Sequence, residues 1–198
     1  MRCTDKCKYC QGEKSPHTNI KRNKQITWMS SVHVHSFAPI ADARATRLIL
    51  GSMPGAASLL AHQYYAHPHN AFWRIMAAVT GALPDAAYEE RVRALQNANL
   101  AVWDVLQSCE RPGSLDASIR RDSELANDFA TFFAQHPLIT HVFFNGGAAE
   151  ASFKRHCAAL LREPRLSFQR LPSTSPAHAA LRFEHKRAAW HSALLTTA

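Results

Sequence analysis

RLILGSMPGAASLLAHQYYAHPHNAFWRIM, residues 47–76, changes its pattern twice, and those changes decide the fold. Residues 47–52 form a short apolar run closed by Gly51 and Pro54, which reads as a strand buried on both faces. Asn70, a good helix cap, opens a run with Phe72, Ile75, Met76 and Val79 at helical spacing, and Gly81 and Pro84 stop it. Between strand and helix lies a loop, 63–73, with two tyrosines, two histidines, an Asn, a Phe and a Trp in eleven residues. Strand, sharp turn, aromatic loop and helix together read as the mouth of an active site.

Working outward, the alternation continues. Spacing predicts a helix over 86–97, a strand over 100–105, a helix over 123–135 and a strand over 139–145. Gly146-Gly147 then opens a helix to about 161, followed by a strand over 166–171 and a helix over about 182–195. Short buried strands separated by helices imply right-handed crossovers. The expected fold is α/β, a three-layer α/β/α sandwich around a central parallel sheet of about four strands. Such sheets carry their sites at the carboxyl ends of the strands, here 52–58, 104–116, 145–147 and 172–178.

Composition narrows the classes. The chain has 198 residues, 46% hydrophobic and 19% charged, and no apolar run approaches the ~20 residues of a membrane span. No secretory apolar core follows the first Met, so the expectation is a cytoplasmic, intracellular protein, monomeric and with no membrane partner. The net charge of +8 is unevenly spread: residues 1–28 hold seven Lys/Arg against Asp5 and Glu13. Residues 1–30 read as a disordered basic tail and 31–198 as the catalytic domain. Met29 precedes the first organised sequence, so translation starting there would omit the tail. Five cysteines without a secretory signal argue against a disulfide framework. Cys3, Cys7 and Cys10 have the spacing of a radical-SAM iron–sulfur loop, or of three zinc thiolates with His17 as a fourth ligand. No large barrel follows, and the expectation is that no metal or other cofactor is bound.

Three constellations carry chemistry. GSMPGAAS, 51–58, exposes backbone N–H groups at a strand end, able to hold an anion or serve as a plain turn. The aromatic loop can line a stacking pocket or simply pack a core. His67 and His69 have no carboxylate or Cys close by in sequence, and Asn70 can be only a cap. LPSTSPAHA, 171–179, sets three hydroxyls between prolines, suited to phosphate oxygens or to capping the last helix.

Taken together with VWDVLQSCERPGSLDASI and FFNG, these segments resemble the uracil-DNA glycosylase superfamily over about residues 35–196. The likeness is greatest to the deoxyinosine (hypoxanthine) glycosylase branch; the mismatch-specific uracil branch is similar too. The resemblance implies hydrolysis of the N-glycosidic bond of a deaminated base in DNA, most of all hypoxanthine, after the base is flipped out of the stack. Tyr65 matches the aromatic that stacks on that base, and Ser52 and Met53 line its pocket. Asn70 matches the catalytic Asn, aiming water at C1′ by position and polarity, since an amide cannot take a full proton. Asp104 stands where several members carry a base-reading Asn; a carboxylate that accepts a lactam N–H suits hypoxanthine and uracil. Pro54, Gly55, Ser58, Ser173, Thr174 and Ser175 match the DNA-gripping loops, and His178 or Leu181 would fill the gap left in the duplex. The chain departs from the pattern at Met53, where many members carry Asp or Asn, and at Leu171, where the enzymes that name the superfamily have His. Either catalysis therefore rests on Asn70, on hypoxanthine or alternatively on uracil, or the chain is a catalytically weak relative that binds nucleic acid.

Overall fold

In the computed structural model, which describes residues 33–196, the chain runs β1 (His33–His35), β2 (Arg47–Gly51), α1 (Ala56–Ala61), α2 (Phe72–Thr80), α3 (Tyr88–Asn97), β3 (Leu100–Asp104), β4 (Leu106–Glu110), β5 (Leu125–Ala126), α4 (Phe129–Gln135), β6 (His141–Asn145), α5 (Gly147–His156), β7 (Ser167–Leu171) and α6 (Phe183–Thr196). The tail, with Cys3, Cys7, Cys10, His17 and the boundary at residue 30, lies outside the described residues.

The central sheet is four parallel strands in the order β3-β2-β6-β7, as the alternation predicted. Leu48, Ile49 and Leu50 have no exposure at all, which is why β2 shows no polar alternation: both its faces are covered. Phe153 of α5 packs on Phe129 of α4, 5.1 Å between ring centroids, and on Phe144 of β6 at 5.3 Å. The helices α3 and α6 each pack on α2, with Trp190 of α6 fully buried, and complete the α/β/α layering. From β2 the chain moves to β3 on one side and later to β6 on the other. That reversal opens a crevice at the carboxyl ends of β2 and β6, where Gly51, its register partner Asp104, and Asn145 lie.

Two predicted elements differ. The strand expected over 100–105 stops at Asp104; Val105 donates its N–H to the Gly51 carbonyl at 2.8 Å, and the chain re-emerges as β4. β4 pairs antiparallel with β1 and β5 in a second, three-stranded sheet that the pattern did not reveal, its strands being two to five residues long. The helix expected over 123–135 is helical only from Phe129. Asn127 is pinned in extended form, its N–H on the Val105 carbonyl and its amide on the Asp104 carbonyl at 2.8 Å, and Asp128 is the true cap, accepting from the Thr131 N–H. Smaller differences are α1, which the loop reading passed over, and α5, which ends at His156 before a 3-10 turn over 158–162.

Phe153 is fully buried among Phe129, Phe144 and Phe168, so Phe153→Ala should cost about 3–5 kcal/mol in urea unfolding.

Candidate active site

The crevice contains a cavity of about 260 Å³ whose walls come from the turn after β2, the aromatic loop, Asp104, Asn145, residues 114–116 and residues 173–177. Its floor depends on the absence of a side chain. A Cβ on Gly51 would lie 2.3 Å from Asp104 Oδ1 and 3.0 Å from the Tyr65 hydroxyl, so only glycine lets both groups close in from neighbouring elements. Asp104 is 3% exposed, and its Oδ2 is buried without a hydrogen-bond partner. The Tyr65 hydroxyl is likewise buried, beside the Asn145 side chain but without a hydrogen bond of good geometry. Unpartnered buried polar atoms are uncommon in folded proteins, and two in one pocket floor mark a place where a ligand's polar edge belongs.

The first wall is braced from an unexpected direction. Ser52 Oγ donates to Asp116 Oδ1 at 2.7 Å, and the Ala56 N–H donates to Ser114 Oγ at 3.0 Å. The buried Arg111 guanidinium donates to the carbonyls of Pro54 and Gly113. Loop 111–116 therefore clamps the Gly-x-x-Pro-Gly turn. Pro54 and Gly55 line the cavity; Ser58 is 5% exposed and accepts the Ala66 N–H at 3.1 Å, fixing the aromatic loop. Met53 lines the cavity but is buried among Val34, Leu106 and Cys109 of the small sheet.

The aromatic loop divides its residues between core and cavity. Tyr64 is core: its hydroxyl donates to main-chain carbonyls of Phe37 and Ala38, and Trp73 Nε1 donates to its carbonyl at 2.9 Å. Tyr65 holds φ +55°, a left-handed conformation that turns the next side chain the other way, and its ring stacks on Phe72 at 3.9 Å and 21°. Asn70 also faces the cavity. Its Oδ1 accepts the Phe72 N–H at 3.0 Å, which orients the amide and leaves the NH₂ group free to donate. His67 and His69 are exposed, and among the described residues no group of side chains suits a metal ion.

The opposite wall is clamped by Asn145, which accepts the Thr174 N–H at 2.8 Å and donates to Thr174 Oγ1 at 2.9 Å. Gly146, at φ +93°, lets Ser173 approach: a Cβ there would lie 2.7 Å from Ser173 Cβ. Ser173, Thr174 and Ser175 thus border the cavity, whereas His178 is exposed outside it and Leu181 half-buried outside it. Buried Lys186 fixes the rim by donating to the His178 carbonyl at 2.8 Å. Sequence reasoning passed over Gly51, Arg111, Asp116 and Asn145. The strand-end rule had pointed to the segments holding Asp116 and Asn145, but nothing in the pattern singled out the residues.

Both pocket carboxyls are raised by burial. Burial pushes Asp104 up to about 8, helped by the charge of Asp116 and opposed by Arg111, so at neutral pH it is a carboxylic acid with an O–H to donate. That corrects the acceptor-only carboxylate expected from sequence, and the cause is desolvation. Asp116 is raised by burial as well, and the Ser52 hydroxyl and Arg111 offset only part of that rise.

Residues 38–194 match the model of the uracil DNA glycosylase superfamily. The chain belongs to that superfamily. It is a monofunctional DNA glycosylase, a hydrolase of base-excision repair acting on damaged DNA, and no described helix is long and apolar enough to cross a membrane. Among its relatives is a protein named hypoxanthine DNA glycosylase from Methanosarcina barkeri, 39% identical over 111 residues, 56% of this chain and 69% of that one. A namesake from Methanosarcina acetivorans is 37% identical over 114 residues, 57% and 71% of the two chains. The solution structure of a candidate uracil DNA glycosylase from the same organism superposes with a TM-score of 0.69 at 29% identity, covering 82% of this chain and 97% of that one.

The neutral state of Asp104 has a consequence for stability that needs no substrate. The folded protein keeps a proton that the unfolded chain loses above its ordinary value of 3.8, so stability should fall as pH rises from about 4 to about 8. Asp104→Asn should flatten that fall, measured by urea unfolding across the range. A second outcome follows from the floor: Gly51→Ala should fold but lose roughly 100-fold in single-turnover excision, as Asp104 and Tyr65 are forced apart.

Proposed function

We propose that this glycosylase removes hypoxanthine from deoxyinosine in DNA. The observation that carries the reading is the unpartnered, neutral carboxyl of Asp104 in the floor of the cavity. A carboxylic acid meets a cis-lactam edge twice over, its carbonyl accepting the base N–H and its O–H donating to the base carbonyl. Hypoxanthine presents that edge through N1–H and O6. The names of the two Methanosarcina relatives point to the same base. Uracil presents the same kind of edge, and the name of the solved relative makes it the second reading. The acid alone does not reject adenine, whose N1 can accept the same O–H. Extrusion from the duplex supplies the rest, since a mispaired deaminated base comes out at lower cost than a base in a sound pair.

In this reading Tyr65, backed by Phe72, stacks on the flipped base, and Ser52 and Met53 complete the pocket wall. Ser173 and Ser175, on the loop held by Asn145 and Thr174, hydrogen-bond phosphate oxygens together with the Gly55 N–H. Ser58 serves DNA binding through the loop it fixes, and His178 or Leu181 on the rim enters the space vacated in the duplex. Asn70, its amide oriented by the Phe72 N–H, holds the attacking water and the sugar in line. The unit of function is the folded domain from residue 31 onward, acting as a monomer in the cytoplasm, with the basic tail outside it.

Duplexes with a single deoxyinosine, a single deoxyuridine or only normal bases, treated with alkali after incubation, test the reading. Scission at deoxyinosine is expected; scission at deoxyuridine alone moves the assignment to uracil, and none at either overturns it. Asn70→Ala should lose roughly 100-fold in single-turnover rate with duplex binding retained.

A further inference from the structure

We propose that Asp116 is the proton acceptor of the reaction, a carboxylate brought from the loop after β4 to the turn whose own residue at that place is Met53. The inference rests on the glycosylase reading and deepens it. Hydrolysis needs a group that takes a proton from water, and the residues matched by resemblance at the cavity do not supply it: Asn70 is an amide, Met53 a thioether, and burial holds Asp104 toward its protonated form, while His178 lies outside. Asp116 is the other carboxyl bordering the cavity. Its Oδ1 is tethered to Ser52 Oγ at 2.7 Å, one residue from Met53, and Arg111, itself fixed on the carbonyls of Pro54 and Gly113, lends positive charge.

Burial raises both carboxyls, Asp104 to about 8, and of the two only Asp116 has a hydroxyl donor opposing the rise. The charge on Asp116 helps to keep Asp104 protonated, while the hydroxyl of Ser52 favours the ionised form of Asp116. Asp116 also has a way to pass its proton on. A second cavity, of about 230 Å³, lies on the far side of the same wall and shares Ser52 and Asp116 with the first. With DNA covering the front, that rear cavity still joins the carboxylate to solvent. Ser152 Oγ, buried there without a partner, offers a water a place to bind.

The step balances as follows. Water held by Asn70 bonds through its oxygen to C1′ as one of its protons passes to Asp116. The C1′–N9 bond breaks, and its electron pair leaves with the base. The base takes a proton from solvent, and Asp116 releases its own through the rear cavity. Water and nucleoside have become an abasic sugar and a free base.

Single-turnover excision, run on whichever lesion the wild type cleaves best, tests the assignment. Asp116→Asn, which still accepts from Ser52, should lose roughly 100-fold or more with duplex affinity unchanged. Ser52→Ala, which frees the carboxylate without removing it, should lose about 10-fold. Added formate should restore rate to Asp116→Ala, a recovery that a merely structural role would not give. The wild-type rate should climb as Asp116 ionises and fall as Asp104 loses its proton at about 8, and Asp116→Asn should lack the acidic limb. The groups facing Asp116 are Asp104, Tyr65, Cys109 and Arg111, with Arg121, Glu124 and Arg155 across the rear cavity. If Asp116→Asn keeps the wild-type rate and its acidic limb, or if formate restores nothing, Asp116 is structural only. A wild type inactive on every lesion overturns the glycosylase reading and this inference with it; an active wild type beside an unaffected variant overturns this inference alone.

Discussion

The register of β2 on β3 sets Gly51 directly beside Asp104, and the rest of the site depends on that pairing. Because Gly51 has no side chain, a carboxyl and a phenol approach the same strand end from two different elements. Neither finds a full set of partners within the protein. Each buried unsatisfied polar group costs about 1–3 kcal/mol, a cost recovered only when something with matching donors and acceptors enters. The fold is therefore least satisfied where its ligand is to bind. Two other buried polar groups of the site are satisfied: Thr174 twice over by Asn145, Ser58 by the Ala66 N–H.

Burial without a partner also decides the chemistry available. A carboxyl near the surface would be ionised and could only accept hydrogen bonds. At the end of β3, buried beside Gly51 and Tyr65, the charged form is disfavoured and the proton is held more tightly. Loss of that proton is opposed further by the negative charge of a second carboxyl nearby, itself favoured by a hydroxyl and a guanidinium. Environment rather than residue type thus sets how far each of the two pocket aspartates is raised.

How much of this was legible depends on range. Local pattern sufficed for β2, β6, β7 and α2, because a run such as LIL or a 3–4 spacing such as Phe72, Ile75, Met76, Val79 reports burial directly. It failed at 105–128, where Leu106–Glu110 and Leu125–Ala126 are held as strands by pairing with segments far away in sequence. The site followed the same rule. Motifs contiguous in sequence placed Tyr65, Asn70 and the 173–175 loop beside one cavity. Asp116 was hidden because its link to Ser52 spans 64 residues and leaves no mark at either end, and the protonation of Asp104 was hidden because it is a property of what surrounds the residue.

The small antiparallel sheet that the pattern concealed accounts for the departure at Met53. Met53 packs among Val34 of β1 and Leu106 and Cys109 of β4, so its position belongs to an apolar cluster rather than to the cavity alone. A charged side chain there would have to leave water and displace that packing. The same β4 carries the chain onward into 111–116, where Arg111 grips the carbonyl of Pro54 and Asp116 takes the hydroxyl of Ser52. One sheet therefore both excludes a polar residue before Pro54 and returns a carboxylate beside it. Position along a motif and position in space have separated, and the geometry of the pocket is kept by the second.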